Sequence, residues 1–294
     1  MKPAHLILLV VLNLFWAVSY STFKVLTPYL DSGEVVTLRF SLAAIILAIL
    51  WPWLPGKVPH GFDLLKASVM GIIVFVLAPR LQVAGVRQGQ ASDCSVLIAL
   101  EPLITSIAAA IFLREHIGPR RWLGFSFGML GVVLLAQVWR TDFKLPGLTA
   151  DLLFIAAFVC ETTYSVMGKP LIERAGSLKV LGVAIVSAAA VNLLLDGQGT
   201  MVAAQMMPLG AWIIIGFLSL ICTLAGYSVW LMVIRETEVN VTAMTIFVQP
   251  VVGVAIAGLW LGEPLHRGQF LGSVAIVAGL VVGLSRQVKT RENH

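Results

Sequence analysis

Apolar residues run along this chain in long blocks separated by short polar punctuation. A helix rising 1.5 Å per residue needs about 20 mostly apolar residues to cross a hydrocarbon layer of roughly 30 Å. Ten such blocks can be read, at about 5–26, 33–53, 64–86, 91–113, 121–139, 151–170, 178–195, 209–233, 240–261 and 267–285. The separators, such as 51–57 and 114–121, are brief and rich in Pro, Gly and charge, as turns are. None is long enough to hold a soluble domain. The pattern predicts an all-α integral membrane fold of ten transmembrane helices. The first block carries no small-residue cleavage site before the next loop, so it reads as a retained helix rather than a signal peptide.

Composition agrees with that pattern and narrows the classes. Hydrophobic residues make up 59% of the chain and charged residues 12%, with a mean hydropathy of +0.94. An ordinary globular chain carries about twice that share of charge, so a water-soluble, disordered or disulfide-scaffold chain is excluded. The net charge is +5, but the basic residues lie mostly between apolar blocks. They report orientation rather than contact with nucleic acid. Placing the N-terminus in the cytoplasm leaves 13 of the 20 Lys and Arg residues inside and seven outside. The positive-inside rule then predicts a multi-pass protein of the inner (plasma) membrane with both termini cytoplasmic. Trp51, Trp53, Trp122, Trp139 and Trp212 fall near block ends and read as interfacial anchors.

Chemistry-bearing motifs are scarce. Cys94, Cys160 and Cys222 lie inside apolar blocks and are expected to be packing residues. His5, His60, His116, His266 and His294 are scattered without metal-ligand spacing, so no metal and no cofactor are expected. Neither a G-x-S-x-G elbow nor a Walker A loop is present. An integral-membrane enzyme is the rival class, and it lacks a motif. Transport, if that is the function, must be secondary or passive.

The chain also matches itself. At an offset of 148 residues, nine of the 36 positions from 98 to 133 are identical. Pro102 falls on Pro250, Glu115 on Glu263, Gly124 on Gly272 and Gly131 on Gly279, with Glu101 opposite Gln249. The same offset lays Asn13 on Glu161 and Trp16 on Tyr164. Two five-helix repeats follow, 1–139 and 151–286. An odd number of spans per repeat inverts the second copy in the membrane, the arrangement of many secondary transporters, whose cargo binds near the midplane between the copies.

Depth along each block places polar residues at that midplane. Glu101 lies ten residues into its block, about 15 Å, and Glu161, Gln249 and Asn13 reach a similar level. A charge at that depth costs about 2.5–3.5 kcal/mol on insertion scales and normally faces a cavity or a partner. Pro102 and Pro250 lack the N–H that would serve the carbonyls of Ile98 and Ile246. A kink with free carbonyls beside a polar side chain is the expectation. Asn13, Trp16 and Tyr20 share one helix face, and Glu161 and Tyr164 share another. Together with Trp230 these aromatics are candidates to stack on a ligand. Two accounts of these charges compete: Arg80 is a structural counter-ion to one carboxylate, leaving the other to attract a substrate amine, or one Glu stays protonated and exchanges that proton during transport. In the carrier reading Glu161 or Glu101 engages an ammonium group and Arg80 a carboxylate. Arg39 is expected to pair locally with Asp31 or Glu34.

Several of these residues also carry a family likeness. Phe15-Trp16 with Lys24, Leu38-Arg39-Phe40, and a Pro followed by Leu-x-Glu (Leu113-Arg-Glu115, Leu261-Gly-Glu263) and a Gly-spaced last helix in each half resemble the drug/metabolite transporter superfamily. Within it, the likeness is to ten-helix exporters with two EamA domains. That resemblance implies a central cavity between inverted halves and export of small metabolites, most often amino acids. Some members import vitamins or nucleotides. The chain departs from the usual pattern by carrying charge at Arg80, Glu101 and Glu161. The combined expectation is an alternating-access carrier for a small amphipathic or zwitterionic metabolite, with the lipid bilayer and a small-molecule substrate, and protons as a further candidate, as its partners.

Overall fold

The computed structural model describes residues 1–88, 97–136, 148–260 and 267–285. Cys94, Trp139, His266, His294 and the Leu261-Gly-Glu263 motif lie outside the described residues, as do the side chains of Tyr20 and Lys24. Helices α1 (Pro3–Leu26) and α2 (Ser32–Leu50) open the chain. Helix α3 is composite: Phe62–Ile72, a π-helical stretch Ile73–Leu77, and Ala78–Gln88. Helix α4 begins with a 3-10 turn, Ile98–Leu100, and continues over Glu101–Phe112. Helices α5 (Pro119–Ala136), α6 (Leu148–Arg174) and α7 (Ser177–Met206) follow. Helix α8 again has a π-helical middle, Leu218–Ala225, between Leu209–Phe217 and Gly226–Glu236. Helix α9 runs Val239–Ala243, a 3-10 turn Met244–Phe247, then Val248–Trp260, and α10 covers Arg267–Leu284.

Six stretches among the described residues are long and apolar enough to cross a membrane: Pro3–Phe23, Ser32–Trp53, Phe62–Gly85, Leu152–Arg174, Ser177–Met206 and Leu209–Glu236. Glu101–Phe112, Val239–Gly253 and Phe270–Leu284 are apolar but shorter. The distribution of side chains is the reverse of a soluble protein. Leu194, Met206 and Leu209 are more than three-quarters exposed, while Asn13, Arg39, Lys179, Asn192 and Gln249 are buried. An apolar exterior around a polar interior suits a lipid environment. The chain is therefore an all-helical integral membrane protein.

The departures from α geometry have identifiable causes. Pro79 has no N–H for the Phe75 carbonyl four residues back, and Asn192 Nδ2 of α7 takes that carbonyl instead, at 3.1 Å. In α8 the Gly226 N–H turns to the Ile221 and Thr223 carbonyls, and Trp16 Nε1 of α1 takes the skipped Cys222 carbonyl at 2.9 Å. A Cβ on Gly226 would stand 3.1 Å from that indole nitrogen, so a side chain there would press on the donor. Ahead of Pro102 and Pro250 the backbone tightens into the 3-10 turns. The Glu101 N–H then closes on the Ile98 carbonyl, and the Val248 N–H closes on Ile246 and Thr245. The expectation of free carbonyls at Ile98 and Ile246 is thus corrected: the Ile98 carbonyl takes the Glu101 N–H in an i to i+3 bond, and the Ile246 carbonyl shares the Val248 N–H with Thr245.

Packing places the polar centre. The most extensive helix contacts join α5 to α10 and α2 to α7, while α4 lies against both α6 and α9. The α5–α10 seam is glycine-lined: a Cβ on Gly279 would lie 2.7 Å from the Gly124 carbonyl oxygen. Helices α1, α2, α3, α4, α6, α8 and α9 are left to surround an interior chamber.

Candidate functional site

The chamber has a volume of about 60 Å³. At roughly 10–15 Å³ of accessible space per water, that holds a handful of water molecules. Glu101 from α4, Glu161 and Tyr164 from α6, Trp16 from α1, Trp230 from α8 and Gln249 from α9 all line it. These six expected residues therefore converge from five helices. Both residues are half-buried, and their carboxyls are electrostatic neighbours of each other. Gln82 of α3 hydrogen-bonds Glu161. Behind them, the hydroxyls of Thr105 and Thr162 lie 3.0 Å apart.

One wall is aromatic. Trp16 lies 5.6 Å from Tyr227 and 5.8 Å from Trp230, and Tyr164 lies 4.9 Å from Tyr227. Their polar ends are already used: Trp16 by the Cys222 carbonyl, Tyr164 Oη by the Tyr227 carbonyl at 3.2 Å, and Trp230 Nε1 by Ser165 Oγ at 2.9 Å. Fixed in this way, the rings present apolar faces rather than free donors.

Asn13 is placed one step behind the wall. Its Nδ2 donates to the Leu9 carbonyl at 2.7 Å and to Thr245 Oγ1 at 3.2 Å, and its Oδ1 accepts from Gln249 Nε2 at 2.8 Å. That network fixes the Gln249 amide so that Oε1 is left as a buried acceptor without a partner. Pro102 stands at the first turn of α4 beside Glu101, and Pro250 beside Gln249.

Arg80 is elsewhere, contrary to its expected place in the site. Its guanidinium donates to Asn192 Oδ1 at 2.7 and 3.2 Å and forms an ion pair with Asp196. Pro79, its neighbour in sequence, lines the chamber. One step along a helix turns the side chain by about 100°, which carries Arg80 toward α7. The local pairing expected for Arg39 is also corrected. Asp31 and Glu34 serve each other as a capping box at the start of α2. Arg39 lines the chamber and donates from Nε to Thr223 Oγ1 at 2.8 Å.

Sequence reading passed over Gln82, Thr105, Ser165 and Tyr227. A signal for two of them existed. Shifted by the repeat offset, Trp230 falls on Gln82 and Tyr227 on Pro79, and all four line the chamber.

A second polar cluster lies at the end of the molecule that carries the N-terminus. Glu115, after α4, accepts from Lys169 Nζ at 2.8 Å, from the N–H groups of Val239 and Asn240 at 2.8 and 3.0 Å, and from Asn240 Nδ2 at 2.7 Å. Burial raises this carboxyl, but the Lys169 hydrogen bond, the two backbone donors and the Lys169 charge outweigh it and hold it below its ordinary value. Arg121 adds contacts to Glu238 at 2.5 Å and Asn240 Oδ1 at 2.6 Å, and Lys2 reaches Glu236 at 2.6 Å. The corner after α4 is thereby latched to the ends of α6 and α8 and the start of α9. Arg114, just before Glu115, has a φ of 55°, the left-handed region that non-glycine residues rarely adopt.

Comparison with known proteins agrees with this architecture. The model of the EamA-like transporter family matches twice, over residues 4–137 and 148–284. "Uncharacterized transporter YyaM" of Bacillus subtilis (strain 168) is 25% identical over 94% of this chain and 92% of its own. A "Probable amino-acid metabolite efflux pump" of Escherichia coli (strain K12) is 24% identical over 96% of this chain and 95% of its own. A solved crystal structure superposes with a TM-score of 0.70 over 95% of this chain and 94% of that one. At 15% identity it speaks for the fold alone.

Proposed function

Because the chain belongs to the EamA-like transporter family, we propose that it is a secondary carrier exporting small amphipathic or zwitterionic metabolites, amino acids foremost. Residues 1–139 and 151–286 act as two inverted five-helix repeats, with both termini in the cytoplasm and alternating access to the chamber between them. The observation that carries this reading is the origin of the chamber's walls. Glu101 and Gln249, Trp16 and Tyr164, Gln82 and Trp230, and Pro79 and Tyr227 are pairs at the repeat offset, and every one of these residues lines the chamber. A duplication that merely enlarged a bundle has no need to bring equivalent polar positions to one wet space at mid-depth.

In this reading Glu101 and Glu161 meet the cargo's ammonium group, and the rings of Trp16, Tyr164 and Trp230 meet its side chain. The chamber as it stands is smaller than a metabolite, so the halves part to admit one, with α4 and α9 bending at their 3-10 turns and prolines. The relative named as an amino-acid metabolite efflux pump supports the cargo class.

The test is flux. Purified protein in liposomes, offered a labelled panel of amino acids, amines, vitamins and nucleosides with and without a pH gradient, is expected to move at least one of them chemically unchanged. Glu101→Gln and Glu161→Gln should each reduce that flux. An intact preparation that moves no member of the panel contradicts the carrier reading, and conversion of a solute to a new product supports an enzyme instead.

A further inference from the structure

Arg39 is 6% exposed, yet no carboxylate lies within ion-pair distance of it among the described residues. Its side chain makes one hydrogen bond, through Nε to Thr223 Oγ1 at 2.8 Å, and Thr223 is itself held by the Leu218 carbonyl at 2.8 Å in the π-helical stretch of α8. The guanidinium lies over the Phe40 ring at 5.0 Å and beside Phe23 at 5.9 Å. Backed by two rings and pinned at Nε, it lines the chamber, and its two remaining nitrogens have no hydrogen-bond partner among the described residues. A buried arginine normally receives a carboxylate or several acceptors. This one has no carboxylate in contact among the described residues: Glu161, which lines the same chamber, acts on it only at longer range.

Acceptors without donors stand elsewhere on the chamber wall. Gln249 Oε1 is buried with no partner, and Gln249 is 4% exposed. Among the described residues nothing donates to the Glu101 carboxyl, whose electrostatic neighbour is Glu161. Span α2 thus supplies a positive charge with donors to spare, and α4 and α9 supply a carboxyl and an acceptor without a donor.

We infer that the chamber is a dipolar receptor for a molecule bearing both heads: Arg39 binds the carboxylate of the cargo, and Glu101 with Gln249 Oε1 binds its ammonium group. The inference rests on the carrier reading and adds to it the residue that distinguishes an amino acid from the corresponding amine. A planar fork of N–H donors suits a carboxylate bidentately, and a cargo that leaves that fork empty forfeits its charge-assisted hydrogen bonds. The Arg80–Asp196 pair, closed within the protein, takes no part.

The experiment compares three labelled probes in proteoliposomes of the full chain: phenylalanine, phenethylamine (which lacks the carboxylate) and 3-phenylpropanoate (which lacks the ammonium group). Wild-type protein is expected to carry phenylalanine at least about tenfold faster than either single-headed probe, the scale for losing a buried charge partner. Arg39→Gln should abolish the preference for phenylalanine over the amine, and Arg39→Lys should restore part of it. Glu101→Gln should erode the preference over 3-phenylpropanoate. Wild-type ratios near one, or flux of all three probes falling in parallel in Arg39→Gln and Arg39→Lys, overturns the inference and leaves the carrier reading intact. If wild-type protein carries none of the three but carries another member of the broader panel, the dipolar receptor is likewise overturned. Should Arg39→Gln fail to fold, the wild-type ratios alone still decide.

Discussion

A backbone carbonyl skipped by the helix ladder needs a donor from elsewhere, and in this protein single side chains fill that need across helix boundaries. Trp16 does so for Cys222 and Asn192 for Phe75. Interhelical hydrogen bonds in membranes average about 0.6 kcal/mol and reach about 1.7. Trp16→Phe, which keeps an aromatic ring and loses Nε1, is expected to cost stability within that range, read as a lower thermal unfolding midpoint. An unchanged midpoint would show the bond to be idle. The same scale explains which site residues could be read from sequence. Depth along a block and the repeat offset suffice for Glu101, Glu161, Trp16, Tyr164 and Gln249, because both depend only on counting. Counting does not give rotation about the helix axis. Pro79 faces the chamber while Arg80 faces α7, and Arg39 faces inward although Asp31 and Glu34 lie closer in sequence.

Whole elements carry local irregularities that hydrophobic pattern does not encode. Proline marks α3 as distorted, but no proline lies in the π-helical part of α8, whose geometry depends on Gly226 and on a tryptophan more than 200 positions away in the chain. The α5–α10 seam, by contrast, follows from glycine spacing. Gly279→Val would set its Cβ against the Gly124 carbonyl and the Gly128 nitrogen, at 2.7 and 3.0 Å. Overpacking of this kind costs about 1–3 kcal/mol, so a lower melting midpoint is expected, while an unshifted one would mean the seam can open freely. At the N-terminal end, Glu115 ties together the ends of three helices, α4, α6 and α9. Its carboxyl is held below the ordinary value by Lys169 and two backbone donors. Its contribution is therefore present above the unfolded-state value and is lost as pH falls through the folded one. Melting midpoints from pH 7 to pH 3 should fall more steeply for wild-type protein than for Glu115→Gln. Parallel slopes would contradict the latch.

At the scale of the molecule, two copies of one sequence pattern meet at a shared chamber, and local distortions recur in corresponding helices: π-helical stretches in α3 and α8, 3-10 turns before the prolines of α4 and α9. The twofold pattern along the chain was legible, since an offset of 148 residues pairs these helices and the family model matches each half. Chamber size was not legible, because it depends on how side chains from seven helices interlock. In the proposed carrier reading, a latched N-terminal end and a chamber of about 60 Å³ are one stage of a cycle in which the opposite ends open in turn. Access to the chamber is therefore the decisive quantity. The direct measurement is labelling of Thr105→Cys, in a chain whose three native cysteines are replaced, by a membrane-impermeant thiol reagent applied separately to each face of sealed vesicles. The account predicts labelling from either face, with transported cargo slowing both reactions. Labelling confined to one face, or absent from both in a folded protein, would contradict alternating access.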